Sequence, residues 1–254
     1  MMYPKSRKLP EIPSVVHRLL EGEEARLVWV NERGGLTFQA GNRFLKWNRH
    51  ANGLDLEAER VRLEWAIHWH PVPNVLHWGA DKEGQWLITA GLPGEGAVTG
   101  PWLARPLDAA RAIGRGLRML HDSLPVSDCP FEWSVDVRIG HRVPMEHLGM
   151  PSIDRLVVCH GDACSPNTII APDGTPAGHV DLGSLGVADR WADLAVAEMS
   201  LDYNYGPNLA DEFFMAYGIE RDEKRLSFYR FLWENEDKIG YPPDTEPQGL
   251  SGSE

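Results

Sequence analysis

Residues 156–183, which read LVVCHGDACSPNTIIAPDGTPAGHVDLG, decide the fold expected of this chain. The apolar run LVVC predicts a buried strand that delivers His160 and Asp162 to a loop. After Asn167, the β-prone TII, the turn signal PDG and the returning GHV predict a hairpin that ends at Asp181. Because antiparallel pairing places the start of one strand beside the end of its partner, we expect Asn167 and Asp181 to lie side by side.

The order of these polar residues is typical of phosphoryl transfer from a nucleotide. Such sites use an aspartate to orient the attacking hydroxyl, an asparagine about five residues later to hold Mg²⁺, and a further aspartate before a glycine to hold the metal. Asp162, Asn167 and Asp181 follow this pattern, and His160 is expected to fix the loop by hydrogen bonds. Each piece alone is also a common turn, but together and in order they predict a small-molecule kinase.

Three segments resemble the aminoglycoside phosphotransferases, most closely their kanamycin/neomycin 3′-phosphotransferase branch: residues 160–167, residues 180–193 (VDLGSLGVADRWAD) and residues 120–131 (LHDSLPVSDCPF). The resemblance extends from about Val28 to Glu234. It implies an α+β, two-lobed protein-kinase-like fold with an N-terminal antiparallel sheet lobe and a mainly helical C-terminal lobe. It also implies ATP and Mg²⁺ as cofactors and a hydroxyl of a cationic sugar antibiotic as acceptor.

The resemblance implies a lysine–glutamate pair in the nucleotide lobe. Residues 26–47 predict a three-stranded meander whose third strand covers 43–47. Lys46 ends that strand, where a kinase-like fold holds the lysine that contacts the α- and β-phosphates. Of the acids on the next predicted helix, Glu59 is favoured over Glu57 and Glu64 as its partner, because it lies about one and a half turns before Trp65.

Backbone segments complete the predicted nucleotide site. Gly34 and Gly35 lie where the phosphate-covering loop is expected, but a plain hairpin turn explains them equally well, since the full glycine pattern is lacking. Ala90 and Leu92 belong to the expected hinge, where main-chain groups would hold the adenine edge. Asp193 resembles the family's buried aspartate that braces the catalytic loop.

The expected divisions of the chain are a nucleotide-binding lobe over 1–92, a catalytic and acceptor-binding lobe over 93–240, and a disordered tail over 241–254. The net charge of −12, from 37 acidic and 25 basic residues, argues against nucleic acid as a partner and is compatible with a polycationic acceptor. Many unrelated proteins are equally acidic.

The cysteine and histidine positions bear on the expected compartment and on metal binding. The 3 cysteines form no Cys-x-x-Cys pair, so reduced thiols in the cytoplasm are expected. His68, His70 and His77 have no cysteine or carboxylate at ligand spacing and are expected to be structural. No apolar stretch is long enough to span a membrane, so we expect no membrane partner. The expected oligomeric state is a monomer or a homodimer.

The residues expected to bind the acceptor depart from the family pattern. Ser184 follows Asp-Leu-Gly where many 3′-phosphotransferases carry arginine, and Tyr203 and Asn204 stand where acids often contact the drug. The segment between Pro130 and Leu156 is also short. Three acids are candidate contacts for the acceptor: Asp136, Asp202 and Glu234. The alternative is that they are solvated surface acids without a role in binding.

The predicted function is transfer of the γ-phosphate of Mg-ATP to a hydroxyl of an aminoglycoside such as kanamycin or neomycin, and hence antibiotic resistance. Two alternatives stay open: the same chemistry on another small-molecule hydroxyl, and a nucleotide-binding pseudokinase module. The second is disfavoured because every expected catalytic residue is present.

Overall fold

A five-stranded antiparallel sheet forms the N-terminal part of the computed structural model, which describes residues 12–20, 23–31, 33–140, 142, 148–236 and 238–239. Its strands run in the order β1-β2-β3-β5-β4. Helix α1 precedes β1, and helix α2 follows β3. The bounds are α1 Ser14–Leu19, β1 Arg26–Val30, β2 Leu36–Ala40, β3 Arg43–Arg49, α2 Leu56–Ala66, β4 Val75–Ala80 and β5 Gly84–Ala90.

The C-terminal part is mainly helical, with two small sheets of order β6-β8-β9 and β10-β7. The predicted two-part α+β architecture is therefore confirmed. The tail over 241–254 lies outside the described residues, and we propose the boundary between the parts at residues 92 and 93. The bounds are β6 Glu95–Gly96, α3 Gly100–Leu103, α4 Pro106–Ser123, α5 Val135–Arg138, β7 Leu156–Cys159, β8 Thr168–Ile170, β9 Pro176–His179, β10 Gly186–Asp189, α6 Trp191–Tyr205, α7 Ala210–Tyr217 and α8 Glu223–Asn235.

An apolar cluster joins the two parts beneath the predicted site. It combines side chains of α2, β5, α4 and β7 with two leucines that follow Asp181 along the chain. Burial of such side chains stabilises the fold by about 1.5–3 kcal/mol each, so this cluster holds the sheet against the helices. Its buried members include Leu63, Leu87, Leu120, Val158, Leu182 and Leu185.

Local sequence explains where α2 begins. Asp55 adopts an extended conformation and its side chain accepts hydrogen bonds from the backbone N–H groups of Glu57 and Ala58. Such a cap stabilises a helix by about 1 kcal/mol. It also sets the rotation of the first turn, which carries Glu59 to the buried face of α2.

Three predicted bounds differ from the structure. The strand that carries Lys46 continues to Arg49, so the lysine lies in mid-strand. Asn167 closes a short 3₁₀ turn, and β8 starts one residue later. The returning strand ends at His179 rather than Asp181, because Asp181 adopts a left-handed conformation, with φ of 66°, that a strand cannot continue.

Within the described residues, the search for a helix long and apolar enough to cross a membrane finds none.

Candidate active site

Lys46 lies at the junction of the two parts of the molecule. In the middle of β3, it pairs with Thr37 of β2 and Leu87 of β5. Its Nζ lies 2.6 Å from Glu59 Oε1 and 2.6 Å from Asp181 Oδ1. A single ammonium group therefore joins β3, α2 and the segment after the catalytic hairpin.

The neighbouring acids of α2 point elsewhere. Glu57 and Glu64 form ion pairs with Arg60, at 3.6 and 2.6 Å, on the exposed side of the helix. The side chain of Glu59 is only 6% exposed, and it is the acid that the structure places beside Lys46.

The electrostatics of this triplet favour a charged lysine. Burial alone would lower the pKa of Lys46, but the nearby charges of Asp181 and Glu59 hold that pKa above its ordinary value. The charge of Lys46 in turn lowers the pKa of Asp181. Burial raises the pKa of Glu59, and Lys46 offsets part of that effect. The ammonium and the Asp181 carboxylate therefore remain an ion pair across the ordinary pH range.

His160 fixes the loop that carries Asp162. Its Nε2 lies 2.9 Å from the Val180 carbonyl, and the Asp162 backbone N–H donates to its Nδ1 at 3.2 Å. Because a carbonyl only accepts and an amide N–H only donates, the hydrogen of this imidazole is on Nε2. Both ring nitrogens of His160 are thus engaged with backbone groups of the loop and of the segment before Asp181.

A buried carboxylate lies behind the same loop. Asp193 accepts the backbone N–H groups of His160 and Gly161 at 2.6 and 3.0 Å. His121 Nε2 lies 3.0 Å from the same carboxylate, and Tyr217 Oη is 2.8 Å from His121 Nδ1. Asp193 therefore braces the loop, as expected. His121 of α4 and Tyr217 of α7 in turn hold the Asp193 carboxylate in position.

This brace is not a metal centre. The ligand atoms of His121, Cys159 and Asp193 lie within 4.8 Å of one another. The Cys159 thiol donates to the Asp189 carbonyl at 3.5 Å, and burial raises its pKa, so it stays protonated. The other two side chains are committed to the hydrogen bonds above. We assign the cluster to the support of the loop.

One oxygen of the Asp162 carboxylate is unpaired in the described part of the chain. Its Oδ1 is buried and has no hydrogen-bond partner among the described residues, although a buried polar atom normally has one. The amide nitrogen of Asn167 donates to the Asp162 carbonyl at 2.9 Å. The amide oxygen of Asn167 must therefore point away from that carbonyl, where it can accept or coordinate.

The hairpin brings Asn167 close to Asp181. Thr168 pairs with His179, and the Val180 N–H donates to the Asn167 carbonyl at 3.0 Å. Asp181 follows directly, in a left-handed conformation that costs about 1–3 kcal/mol for a residue with a side chain. Strain of this size is typical of functional positions. It turns the Asp181 carboxylate toward Lys46 rather than along the strand.

The donor set fits Mg²⁺. This ion prefers oxygen ligands and is commonly held by one or two protein groups together with substrate phosphates. The Asn167 amide oxygen and the Asp181 carboxylate are such donors, on adjacent positions of one hairpin, with the unpartnered Asp162 Oδ1 five residues before Asn167.

The remaining predicted nucleotide contacts surround β3. Gly34 and Gly35 form the turn between β1 and β2, closed by hydrogen bonds of 3.0 Å in both directions with Asn31. Ala90 ends β5, and Leu92 lies two residues later, before β6. Their contact with a nucleotide remains a prediction.

The three candidate acceptor acids lie on three separate helices. Asp136 is half-buried in α5, whereas Asp202 near the end of α6 and Glu234 near the end of α8 are exposed. No hydrogen bond or ion pair of the described residues joins Asp202 or Glu234 to Asp162. Their contact with an acceptor also remains a prediction.

Two residues of α6 support the catalytic loop and were not anticipated. The Ser165 N–H donates to Ser200 Oγ at 2.8 Å, and the Asn204 amide donates to the carbonyl and hydroxyl oxygens of Ser200 at 2.7 and 3.1 Å. Asn204, which stands where family members often carry an acid that contacts the drug, is thus turned toward Ser200 and the loop between Asp162 and Asn167. Its spacing of four residues from Ser200 was the available signal.

Comparison with known proteins places this site in a family. The model of the phosphotransferase enzyme family matches residues 145–229. The chain is 35% identical over 216 residues to the aminoglycoside 3′-phosphotransferase of Streptomyces fradiae, covering 71% of this chain and 80% of that protein. It is 32% identical over 246 residues to the streptomycin 3″-kinase of Streptomyces griseus, covering 81% and 89%.

A solved structure has the same fold. The aminoglycoside phosphotransferase APH(3″)-Id of Streptomyces rimosus, in complex with ADP and streptomycin, superposes with a TM-score of 0.67 at 27% identity, covering 90% of this chain and 98% of that chain. The predicted kinase-like fold is confirmed, and the protein is a phosphotransferase. The chain belongs to the aminoglycoside phosphotransferase family.

Proposed function

We propose that the protein transfers the γ-phosphate of Mg-ATP to a hydroxyl group of an aminoglycoside, in the cytoplasm. The observation that carries the proposal is the position of the Lys46 ammonium, 2.6 Å from both Glu59 and Asp181. This lysine–glutamate–aspartate arrangement is what a kinase needs to hold nucleotide phosphates. Asp162 and Asn167 lie on the neighbouring loop and hairpin, where an acceptor hydroxyl would meet the nucleotide.

Each side chain then has a defined task. Asp162 accepts a hydrogen bond from the acceptor hydroxyl and aims its oxygen at the γ-phosphate; orientation matters more than basicity because the transition state is loose. Lys46 neutralises charge on the α- and β-phosphates. Asn167 and Asp181 would hold Mg²⁺, which supplies further charge neutralisation on the phosphate oxygens. His160 and Asp193 keep the Asp162 loop in place.

Kanamycin or neomycin is the first candidate acceptor, because the Streptomyces fradiae relative is a 3′-phosphotransferase. Streptomycin is the second. It is favoured by the longer match to the streptomycin 3″-kinase, which extends over 246 residues. The net charge of −12 is compatible with either cationic acceptor.

The test is ADP release from Mg-ATP with kanamycin, neomycin, streptomycin and a panel of other hydroxylated compounds. Asp162→Ala should lower turnover by about a thousandfold, since positioned proton acceptors contribute about 10²–10⁴, and it should still bind ATP. Asp211→Ala, an exposed acid of α7, is the matched control and should retain turnover. An Asp162→Ala variant that is as active as the wild type would refute the assignment.

The acceptor panel separates the remaining alternatives. Turnover with kanamycin or neomycin alone would assign a 3′-phosphotransferase, and turnover with streptomycin alone would assign the second candidate. Turnover only with an unrelated hydroxyl would retain the kinase chemistry and remove the proposed role in antibiotic resistance.

A further inference from the structure

Arg62 on α2 makes contacts that the proposed mechanism does not yet use. Its Nε donates to the Leu185 carbonyl at 2.9 Å, and its Nη1 donates to the Ala58 carbonyl at 3.1 Å. Its guanidinium carbon also lies 4.8 Å from the centre of the Phe131 ring. Leu185 is 123 residues away in sequence, in the segment directly after Asp181-Leu182-Gly183. Arg62 therefore links α2 to the segment that follows Asp181.

The charge of Arg62 has no carboxylate at ion-pair distance among the described residues. Burial lowers the pKa of Arg62, and the more distant charge of Asp55 offsets part of that effect. A half-buried cation without a direct ion pair is unfavourable unless it has another use. Two residues earlier on the same helix, Arg60 has ion pairs with Glu57 and Glu64 and also lies over an aromatic ring, that of Trp78. The two arginines have the same side-chain chemistry but different partners: Arg60 pairs with carboxylates, whereas Arg62 donates to backbone carbonyls.

The position of α2 matters because the helix carries Glu59. Glu59 lies one turn before Arg62, and its carboxylate meets Lys46 only if the helix has the correct rotation. Apolar contacts of Leu56 and Leu63 hold α2 against Leu182 and neighbouring side chains, but such contacts are non-directional and allow the helix to slide. The Arg62–Leu185 hydrogen bond is directional.

We propose that Arg62 is a positioning residue that fixes α2 to the segment after Asp181, so that Lys46, Glu59 and Asp181 meet. The inference rests on the proposed function, because it assigns Arg62 to the phosphate-binding half of that site. Arg62 touches neither substrate nor metal and acts through Glu59.

Paired variants at the two arginines test this role. Arg62→Lys and Arg62→Met are compared with Arg60→Lys and Arg60→Met for kcat, for the KM of the acceptor and for the Kd of Mg-ADP. Arg62→Met should lower kcat about tenfold and raise the Kd of Mg-ADP about fivefold, with the acceptor KM within about twofold. Lysine at position 62 should restore little, because it lacks the planar fork that holds Leu185 and Phe131. Both Arg60 variants should stay within about twofold of the wild type.

A double-mutant cycle with Glu59→Gln separates positioning from general stability. If Arg62 acts through Glu59, adding Arg62→Met to Glu59→Gln should lower kcat by less than about threefold more. A full second tenfold loss, or equal losses at Arg60 and Arg62, would overturn the inference. So would a normal kcat per ADP-binding site in Arg62→Met, since that would indicate lost folding alone. A wild-type protein without turnover would instead contradict the proposed function, and the Mg-ADP measurements would still decide the role of Arg62.

Discussion

At the scale of single residues, Gly161 shows how tightly the catalytic loop is built. Its φ is +82°, and a Cβ added there would lie 2.2 Å from the Ser184 carbonyl oxygen. Real Cβ atoms do not approach so closely, and the neighbour is backbone that cannot rotate away. The glycine is therefore required between His160 and Asp162 both by its conformation and by the space available.

We expect Gly161→Ala to lower turnover by about a hundredfold, because relief of the clash must displace Asp162 or the segment at Ser184. Gly206→Ala is the matched control: its φ is +85°, but an added Cβ meets nothing within 4 Å. The control also places a side chain at a positive φ, but without the clash. The measurement is kcat together with urea unfolding of both variants. Equal losses of turnover in the two would assign the effect to backbone strain alone.

Much of the site could be anticipated residue by residue from the sequence, and the reason is local. Asp162, Asn167 and Asp181 are carried by one loop and one short hairpin, so spacing alone brings them together. The contact of Arg62 with Leu185 joins segments that are 123 residues apart in sequence. No local pattern in the sequence encodes that contact.

At the scale of elements, a buried pair of histidines connects the α2–β4 segment to the catalytic hairpin. Ser123 Oγ donates to the Leu120 carbonyl, so it accepts from His70 Nδ1–H, at 3.1 Å. His70 Nε2 is then bare and accepts from His179 Nδ1–H at 2.9 Å. This leaves His179 Nε2 as an acceptor that is buried without a partner in the described residues. Both imidazoles are therefore neutral in the folded protein, as befits the structural role predicted for His70.

We expect this pair to make the protein sensitive to acid. Burial, with smaller contributions from His160 and His121, lowers the pKa of His70 to about 4, whereas an unfolded imidazole titrates near 6.5. Between those values the unfolded state binds more protons, so stability falls as the pH falls from about 6.5 to 4. The loss attributable to His70 is about 2 kcal/mol by pH 5.

The measurement is the free energy of urea unfolding from pH 7 to pH 5 for the wild type, His70→Asn and His68→Asn. His70→Asn should flatten the decline by about 1 kcal/mol per pH unit, whatever its stability at neutral pH. His68→Asn removes an exposed imidazole from the same segment and should leave the slope as it is. Parallel slopes for all three proteins would mean that the His70–His179 pair does not control the acid response.

Element types were easier to predict than element ends. The sheet of β1–β5 and the helix α4 have clear periodicity: Ala110, Ile113, Leu117 and Leu120 recur at helical spacing in the sequence of α4, and all four are buried. The hairpin ended earlier than predicted because Asp181 leaves the strand conformation to reach Lys46. A side-chain contact across 135 residues thus decides a local backbone conformation, and local patterns cannot supply that information.

At the scale of the whole molecule, the net charge of −12 predicts opposite salt effects on the two substrates. An acidic surface attracts a cationic acceptor and repels anionic ATP, and salt screens both interactions. Raising the salt from about 50 to about 500 mM should therefore lower kcat/KM for the acceptor several-fold, while kcat/KM for ATP stays constant or rises. Steady-state kinetics at fixed Mg²⁺, with each substrate varied in turn, measure both slopes. A common decline for both substrates would indicate a general effect of salt on the enzyme, whereas divergent slopes would tie acceptor capture to the charge of the protein.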